Sequence, residues 1–209
     1  MSPTAPKAEP PAANRRGFLY VATAAVGVAG IAAAAWPLIR QMSPDAGVRA
    51  ADDTLNVDLG GLQPAQQIAL RWQKLPVFVV RRTAAMLEAM QDKAFVARLV
   101  DPDSAKRQQP AYARNWHRSI DPTYSVLVAV CTACDCVPDY YADASAVAMA
   151  GGYVCPCCAS HYDPAGRAYS GVAQYNLPVP PYIVAAPAKM VLGKNRTDET
   201  YSLKAVERI

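Results

Sequence analysis

At 209 residues the chain has room for one domain of ordinary size plus an appendage. Its 21 Lys and Arg against 17 Asp and Glu give a net charge of +4, and with no basic patch this excludes a nucleic-acid binder. A hydrophobic share of 52% with 18% charged residues excludes a disordered chain, and 18 prolines against 3 phenylalanines favour strands and loops over a helix bundle.

Residues 1–14 are rich in Pro and Ala and are expected to be disordered, so 1–17 reads as an N-terminal segment ending in a signal. Asn14-Arg15-Arg16-Gly17-Phe18-Leu19 has the adjacent arginines and following apolar run of a twin-arginine export signal. Residues 18–39 carry no charge and, as a helix rising ~1.5 Å per residue, would be about 33 Å long, enough to span a bilayer. Lys7, Arg15 and Arg16 precede the run, which predicts a cytoplasmic N-terminus and an exported C-terminal part. Two outcomes stay open: a retained single-pass anchor, favoured by the length of the run, or a signal peptide cut near Ala32–Ala35. Residues 40–53, small and polar with Pro44 and Gly47, read as a flexible tether.

The head is expected over 54–192. Leu55–Leu59 alternates like a half-buried strand, and Ile68–Trp72 and Val77–Val80 are further strands. A short helix is predicted from Thr83, with Ala84, Leu87 and Met90 on one face. Residues 101–122 are polar and Pro-bounded, hence loop. Tyr124–Val130 is an apolar strand ending at the first cysteine, and Gly151–Val154 a shorter one ending at Cys155. Val179–Val184 and Lys189–Leu192 are the last strands, and the charged tail 193–209 is expected to be peripheral.

All six cysteines fall in Cys131-Thr132-Ala133-Cys134-Asp135-Cys136 and Cys155-Pro156-Cys157-Cys158. Each segment follows an apolar strand, so each places thiols on a loop at the tip of a sheet. Cys131-x2-Cys134 and Cys155-x2-Cys158 are two paired-thiolate knuckles, the spacing of a four-sulfur metal site. Soft thiolates suit zinc, a single iron or an iron–sulfur cluster. Twin-arginine export, which carries folded proteins, fits a metal site. The alternative is three disulfides and no metal, which the adjacent Cys157-Cys158 makes awkward because bridged Cα atoms lie ~4.4–6.8 Å apart.

Over nearly its whole length the chain resembles the Rieske iron–sulfur subunits of ubiquinol–cytochrome c reductase, the cytochrome bc complex. The resemblance rests on the twin-arginine helix ending in Trp36-Pro37-Leu38-Ile39, on Pro76–Thr83, Cys136-Val137-Pro138, Gly151-Gly152, Cys155-Pro156-Cys157, Ser160-His161-Tyr162-Asp163, Gly166-Arg167 and 176–182 (NLPVPPY). It implies a mainly β protein: a Rieske-like antiparallel β-sandwich head, a small inserted cluster-binding subdomain at about 126–170, and one N-terminal transmembrane helix. It implies a [2Fe-2S] cluster, cytochrome b and a c-type cytochrome as partner subunits, ubiquinol as electron donor, and an inner-membrane location with the head in the periplasm. Cys131 and Cys155 match the cysteine ligands and Cys136 and Cys157 the disulfide. Ser160 and Tyr162 match residues that donate hydrogen bonds to the cluster sulfurs.

The two histidine-ligand positions are Ala133 and Cys158, so both imidazoles are missing, and the loop leucine and glycines have become Cys134, Asp135 and Ala159. The expected metal ligands are therefore Cys131, Cys134, Cys155 and Cys158. His117 and His161 are read as surface or supporting residues. Imidazole-ligated clusters lie at roughly −150 to +300 mV, against about −400 mV for an all-thiolate two-iron cluster. A fall of ~0.5 V for one electron, at ~59 mV per tenfold, makes quinol oxidation steeply uphill. The sequence reading is thus an electron-transfer subunit moving one electron from ubiquinol to a c-type cytochrome. The alternatives are a paralogue whose all-cysteine site has a structural or assembly role, and a metal-free accessory subunit.

Overall fold

The computed structural model describes residues 15–41, 54–145, 147, 149–196 and 199–208. The expected disordered stretch 1–14 and all but the first two residues of the expected tether lie outside these. The chain divides into two compact units with the boundary between residues 48 and 49.

In the first unit, helix α1 (Arg15–Gln41) extends the uncharged run by a turn at its N-terminal end. It is long and apolar enough to cross a membrane, and none of it is buried. Arg40 in the last turn complements the partial negative charge of the helix C-terminus, and its guanidinium lies over the Trp36 ring at 5.9 Å.

The second unit is built from antiparallel strands. Strands β1 (Leu55–Asp58), β10 (Lys189–Leu192) and β9 (Tyr182–Ala186) form one sheet in that order, and β2 (Gln67–Trp72), β3 (Leu75–Arg81) and β4 (Tyr124–Val128) form a second. The two sheets share one apolar core, with Val57, Tyr182, Met190 and Leu192 from the first and Val77, Val79, Val126 and Val128 from the second. This is the antiparallel β-sandwich. Buried at four consecutive positions, Val77 to Val80 read as a continuous apolar run because β3 is the central strand of its sheet, covered on both faces. A third sheet, β5 (Asp139–Tyr141), β6 (Gly152–Val154), β7 (His161–Tyr162) and β8 (Ala168–Ser170), carries the second cysteine loop.

Four expectations change. Strand β9 begins at Tyr182, since Pro180 and Pro181 have no N–H for the ladder. Helix α2 (Ala84–Ala89), capped by the Thr83 hydroxyl, buries Met86 and Met90, spaced i, i+4, while Ala84 is exposed. A second one-turn helix, α3 (Lys93–Val96), follows, and Met90 and Phe95 join Met149, Ala165 and Tyr169 in a separate small core.

The polar stretch 101–122 is mostly loop, as expected from its polarity, but six of its polar side chains, Asp101, Ser104, Gln108, Gln109, Arg118 and Ser119, are buried. Arg118 is fully buried and donates to the Ala165 carbonyl and Gln109 Oε1, both at 2.9 Å. Burial pulls its pKa down to about 10. Gln108 donates to the Asn176 carbonyl, and its own carbonyl accepts from Val179 N–H. The C-terminal segment is largely exposed but anchored to the head: Leu203 enters the main core, and Glu207 and Arg208 N–H groups donate to Gln108 Oε1. A buried glutamine with unspent acceptors gives a charged tail something to bind.

Candidate metal centre

Strand β4 runs through Ala129 and Val130 into the first loop, and β6 runs directly into the second. The two loops repeat one geometry. In the first, Cys131 N–H donates to Cys136 O and Asp135 N–H to Cys131 O; in the second, Cys155 N–H donates to Ser160 O and Ala159 N–H to Cys155 O, all at 2.8–2.9 Å. The residue after the second thiol of each knuckle, Asp135 or Ala159, has φ of 60° or 50°. That left-handed turn reverses the chain so that thiols three residues apart face the same side.

The loops bring Cys131, Cys134, Cys155 and Cys158 together, all four Sγ atoms within 4.8 Å of one another. Sγ–Sγ distances are 3.5 Å for Cys131–Cys158 and 3.3 Å for both Cys134–Cys155 and Cys134–Cys158. Cys131 and Cys155 are fully buried, and Cys134 and Cys158 half-buried. Cys136 and Cys157 are joined by a disulfide across the two loops. The four remaining cysteines are free, so the three-disulfide alternative is not the arrangement adopted.

Hydroxyls support the thiols. Ser160 Oγ accepts from Ala173 N–H at 3.1 Å and lies 3.2 Å from Cys158 Sγ. Tyr162 OH lies 3.3 Å from Cys131 Sγ, 3.2 Å from Thr132 Oγ1, and accepts from Thr132 N–H. Thr132 spends its own hydroxyl proton on the Tyr175 carbonyl at 2.8 Å, which leaves Tyr162 as the donor toward threonine or sulfur. Burial pushes the Cys134 and Cys155 thiols up. At Cys158 the same burial is outweighed by hydrogen bonds from Ser160 and Cys134, and its pKa falls to about 6.

Neither histidine belongs to the thiol group. His161 packs edge-on against Tyr169, and His117 Nδ1 lies 2.8 Å from Ser119 Oγ. A cluster held by two cysteines and two imidazoles therefore does not fit these residues, because Ala133 offers no donor and Cys158 offers sulfur. Sequence reasoning gave no role in the site to Thr132, and it counted Gly152, Asp163 and Arg167 only as motif residues; the last two form a buried ion pair at 2.6 Å just after the second loop. The aspartate's Oδ1 also accepts from the N–H groups of Ala165 and Arg167, at 2.9 and 2.8 Å. Only the juxtaposition Asp163-x3-Arg167 beside Gly166 hinted at such a turn.

Residues 6–45 match the family model described as the ubiquitinol–cytochrome c reductase Fe–S subunit TAT signal. The ubiquinol–cytochrome c reductase iron–sulfur subunit of Blastochloris viridis is 41% identical over 184 residues, covering 87% of this chain and 93% of that one. Those of Rhodospirillum rubrum (38%, covering 86% and 92%) and Bradyrhizobium diazoefficiens (36%, covering 91% and 99%) are similar. A solved chain of a hyperthermophilic respiratory complex III aligns at 20% identity with a TM-score of 0.48, covering 83% of this chain and 99% of that one. Like its relatives at more than a third identity along nearly their full length, this chain belongs to the family of ubiquinol–cytochrome c reductase iron–sulfur subunits.

Proposed function

We propose that the chain is the membrane-anchored electron-transfer subunit of a ubiquinol–cytochrome c reductase, moving one electron from ubiquinol toward a c-type cytochrome. Its partners are cytochrome b and c-type cytochrome subunits. Helix α1 stays in the inner membrane with its N-terminus cytoplasmic, and the head works in the periplasm. The observation that carries this reading is the cage of four free thiols at two loop tips, on a head whose relatives bear iron–sulfur names. The twin-arginine pattern and the apolar helix support the location.

A thiolate-held iron centre supplies a one-electron couple when bound at Cys131, Cys134, Cys155 and Cys158. The chain's own residues bind and tune it. The disulfide holds the loops together, and the buried Cys131 and Cys155 keep water from one side. The Ser160 and Tyr162 hydroxyls lie 3.2 and 3.3 Å from the Cys158 and Cys131 sulfurs, and a hydroxyl proton given to a ligand sulfur would favour the more negative, reduced state. With no imidazole in the group, no proton is taken up there by histidine.

Membranes from cells in which this is the sole Rieske-type subunit are expected to reduce added c-type cytochrome with ubiquinol. Unchanged activity after deletion of the chain overturns the reading. The missing imidazoles favour one second reading, a structural or assembly subunit holding zinc, in which deletion lowers the amount of assembled complex while its turnover per complex stays the same.

A further inference from the structure

We propose that the four thiolates hold a single tetrahedral iron ion, not a two-iron cluster. The inference rests on the electron-carrier reading for the choice of iron and on geometry for the count.

The geometry is that of one ion. Metal–sulfur bonds of ~2.3 Å in a tetrahedron put the sulfurs about 3.8 Å apart along every edge. All four Sγ atoms here lie within 4.8 Å of one another, and three edges measure 3.3–3.5 Å. A two-iron cluster divides its four protein sulfurs into two pairs with both irons and the bridging sulfides between them. Sulfurs on different irons must then stand well beyond the edge of one tetrahedron. With Cys131 and Cys155 on one iron, the position that the family resemblance gives them, the contacts Cys131–Cys158 and Cys134–Cys155 are both cross-pair contacts. They are among the shortest in the group, so no gap separates the pairs. Closing all four sulfurs around one centre needs almost no movement, whereas admitting a second iron requires the loops to part.

The two loops are also equivalent in a way that suits one ion. Each presents thiols at its first and fourth positions, each has a left-handed residue at the fifth, and each closes with the same pair of backbone hydrogen bonds. Two copies of one knuckle supply four like donors to one point. Placing a thiol at Cys134, one position beyond the residue the family uses as a ligand, is what makes the first loop match the second.

The count has a redox consequence. Ferric iron with four thiolates carries one net negative charge and its ferrous form two, whereas an all-thiolate two-iron cluster carries two and three. Net charge is a principal determinant of the potential, and the less negative centre is easier to reduce. A single ion therefore recovers part of the driving force lost with the imidazoles. An iron ion held by Cys131, Cys134, Cys155 and Cys158 would supply a one-electron couple with all four sulfur bonds retained, and with no imidazole in the group the proton released by a quinol would leave to solvent and not to the centre.

The test uses the full chain purified in detergent from its host's membranes without overproduction. The expected result is one iron per chain, no acid-labile sulfide, and a paramagnetic signal in the oxidised protein that disappears on reduction. Two irons and two sulfides per chain, with a signal only after reduction, overturn the single-ion inference and leave the electron-carrier reading standing. One zinc per chain overturns the inference and counts against the carrier reading as well, since zinc has no redox couple. Cys134→Ser is expected to lower bound iron by at least about tenfold while the head keeps its circular dichroism, and wild-type iron content in that variant overturns the inference.

Discussion

Tyr162 ties the metal site to the core through a single hydroxyl. Its ring is fully buried against the sandwich, and its OH meets Thr132 and Cys131 at once. Tyr162→Phe removes the donor toward sulfur and leaves Thr132 N–H without its buried partner, a loss of about 1–3 kcal/mol. Urea unfolding should show that loss, and the reduction potential of the iron-loaded protein should fall. An unchanged potential would mean that the hydroxyl spends its proton on threonine. His117 sets a pH dependence. Burial first, then the neighbouring Arg82 guanidinium, lower its pKa in the fold, with Asp121 acting the other way. An unfolded chain then binds the proton more readily. The stability from His117 is complete above the ordinary histidine value of ~6.5 and is lost as pH falls through the lower folded value. The melting temperature is expected to decline as pH falls below about 6.5, and less steeply in His117→Gln.

Each cysteine knuckle is a strand-to-loop transition whose exit is fixed by close packing beneath it. Gly152, in β6, has φ of 152°, and a Cβ there would sit 2.4 Å from the Tyr162 carbonyl oxygen of the neighbouring strand. Gly152→Ala must push β6 from β7, so it should abolish metal retention even if the sandwich still folds; metal content and near-ultraviolet circular dichroism on the same sample separate the two. Just after the second loop, Asp163 accepts from Arg167 Nε at 2.6 Å and from two backbone N–H groups, and both side chains are buried. Asp163→Asn strands a guanidinium in the interior, and denaturant unfolding should record a loss of about 3–5 kcal/mol. At this scale the strands of the sandwich were legible because β-branched runs such as Val77–Val80 have one reading. Strands β5, β7 and β8 were not, because at two or three residues they have no periodicity to detect. They exist because neighbouring backbone needs partners.

Across the whole molecule, an exposed apolar helix and a head with its own core are separate units on one chain. The proposed orientation predicts that added protease digests the head in spheroplasts and not in sealed cytoplasm-facing-out vesicles of opposite sidedness. The Cys136–Cys157 bridge closes a loop with a sequence separation of 21. On the chain-entropy account that is worth about 3 kcal/mol, so the double variant Cys136→Ala, Cys157→Ala should melt lower and bind its metal more weakly. The sequence by itself determined the apolar helix, the sandwich strands, the family resemblance and the loss of both imidazoles, since composition, alternation and ligand identity are properties of single residues and short windows. Tertiary structure alone decided that several polar side chains of 101–122 are interior and that the largely exposed C-terminal segment is tied to one of them, because polar side chains are buried where distant carbonyls satisfy them, as those of Asn176 and Ala165 do for Gln108 and Arg118. It also decided that four thiols from two loops close to within one tetrahedron, since a distance between sulfurs is set by how β4 and β6 enter the shared core and by the turn each loop makes.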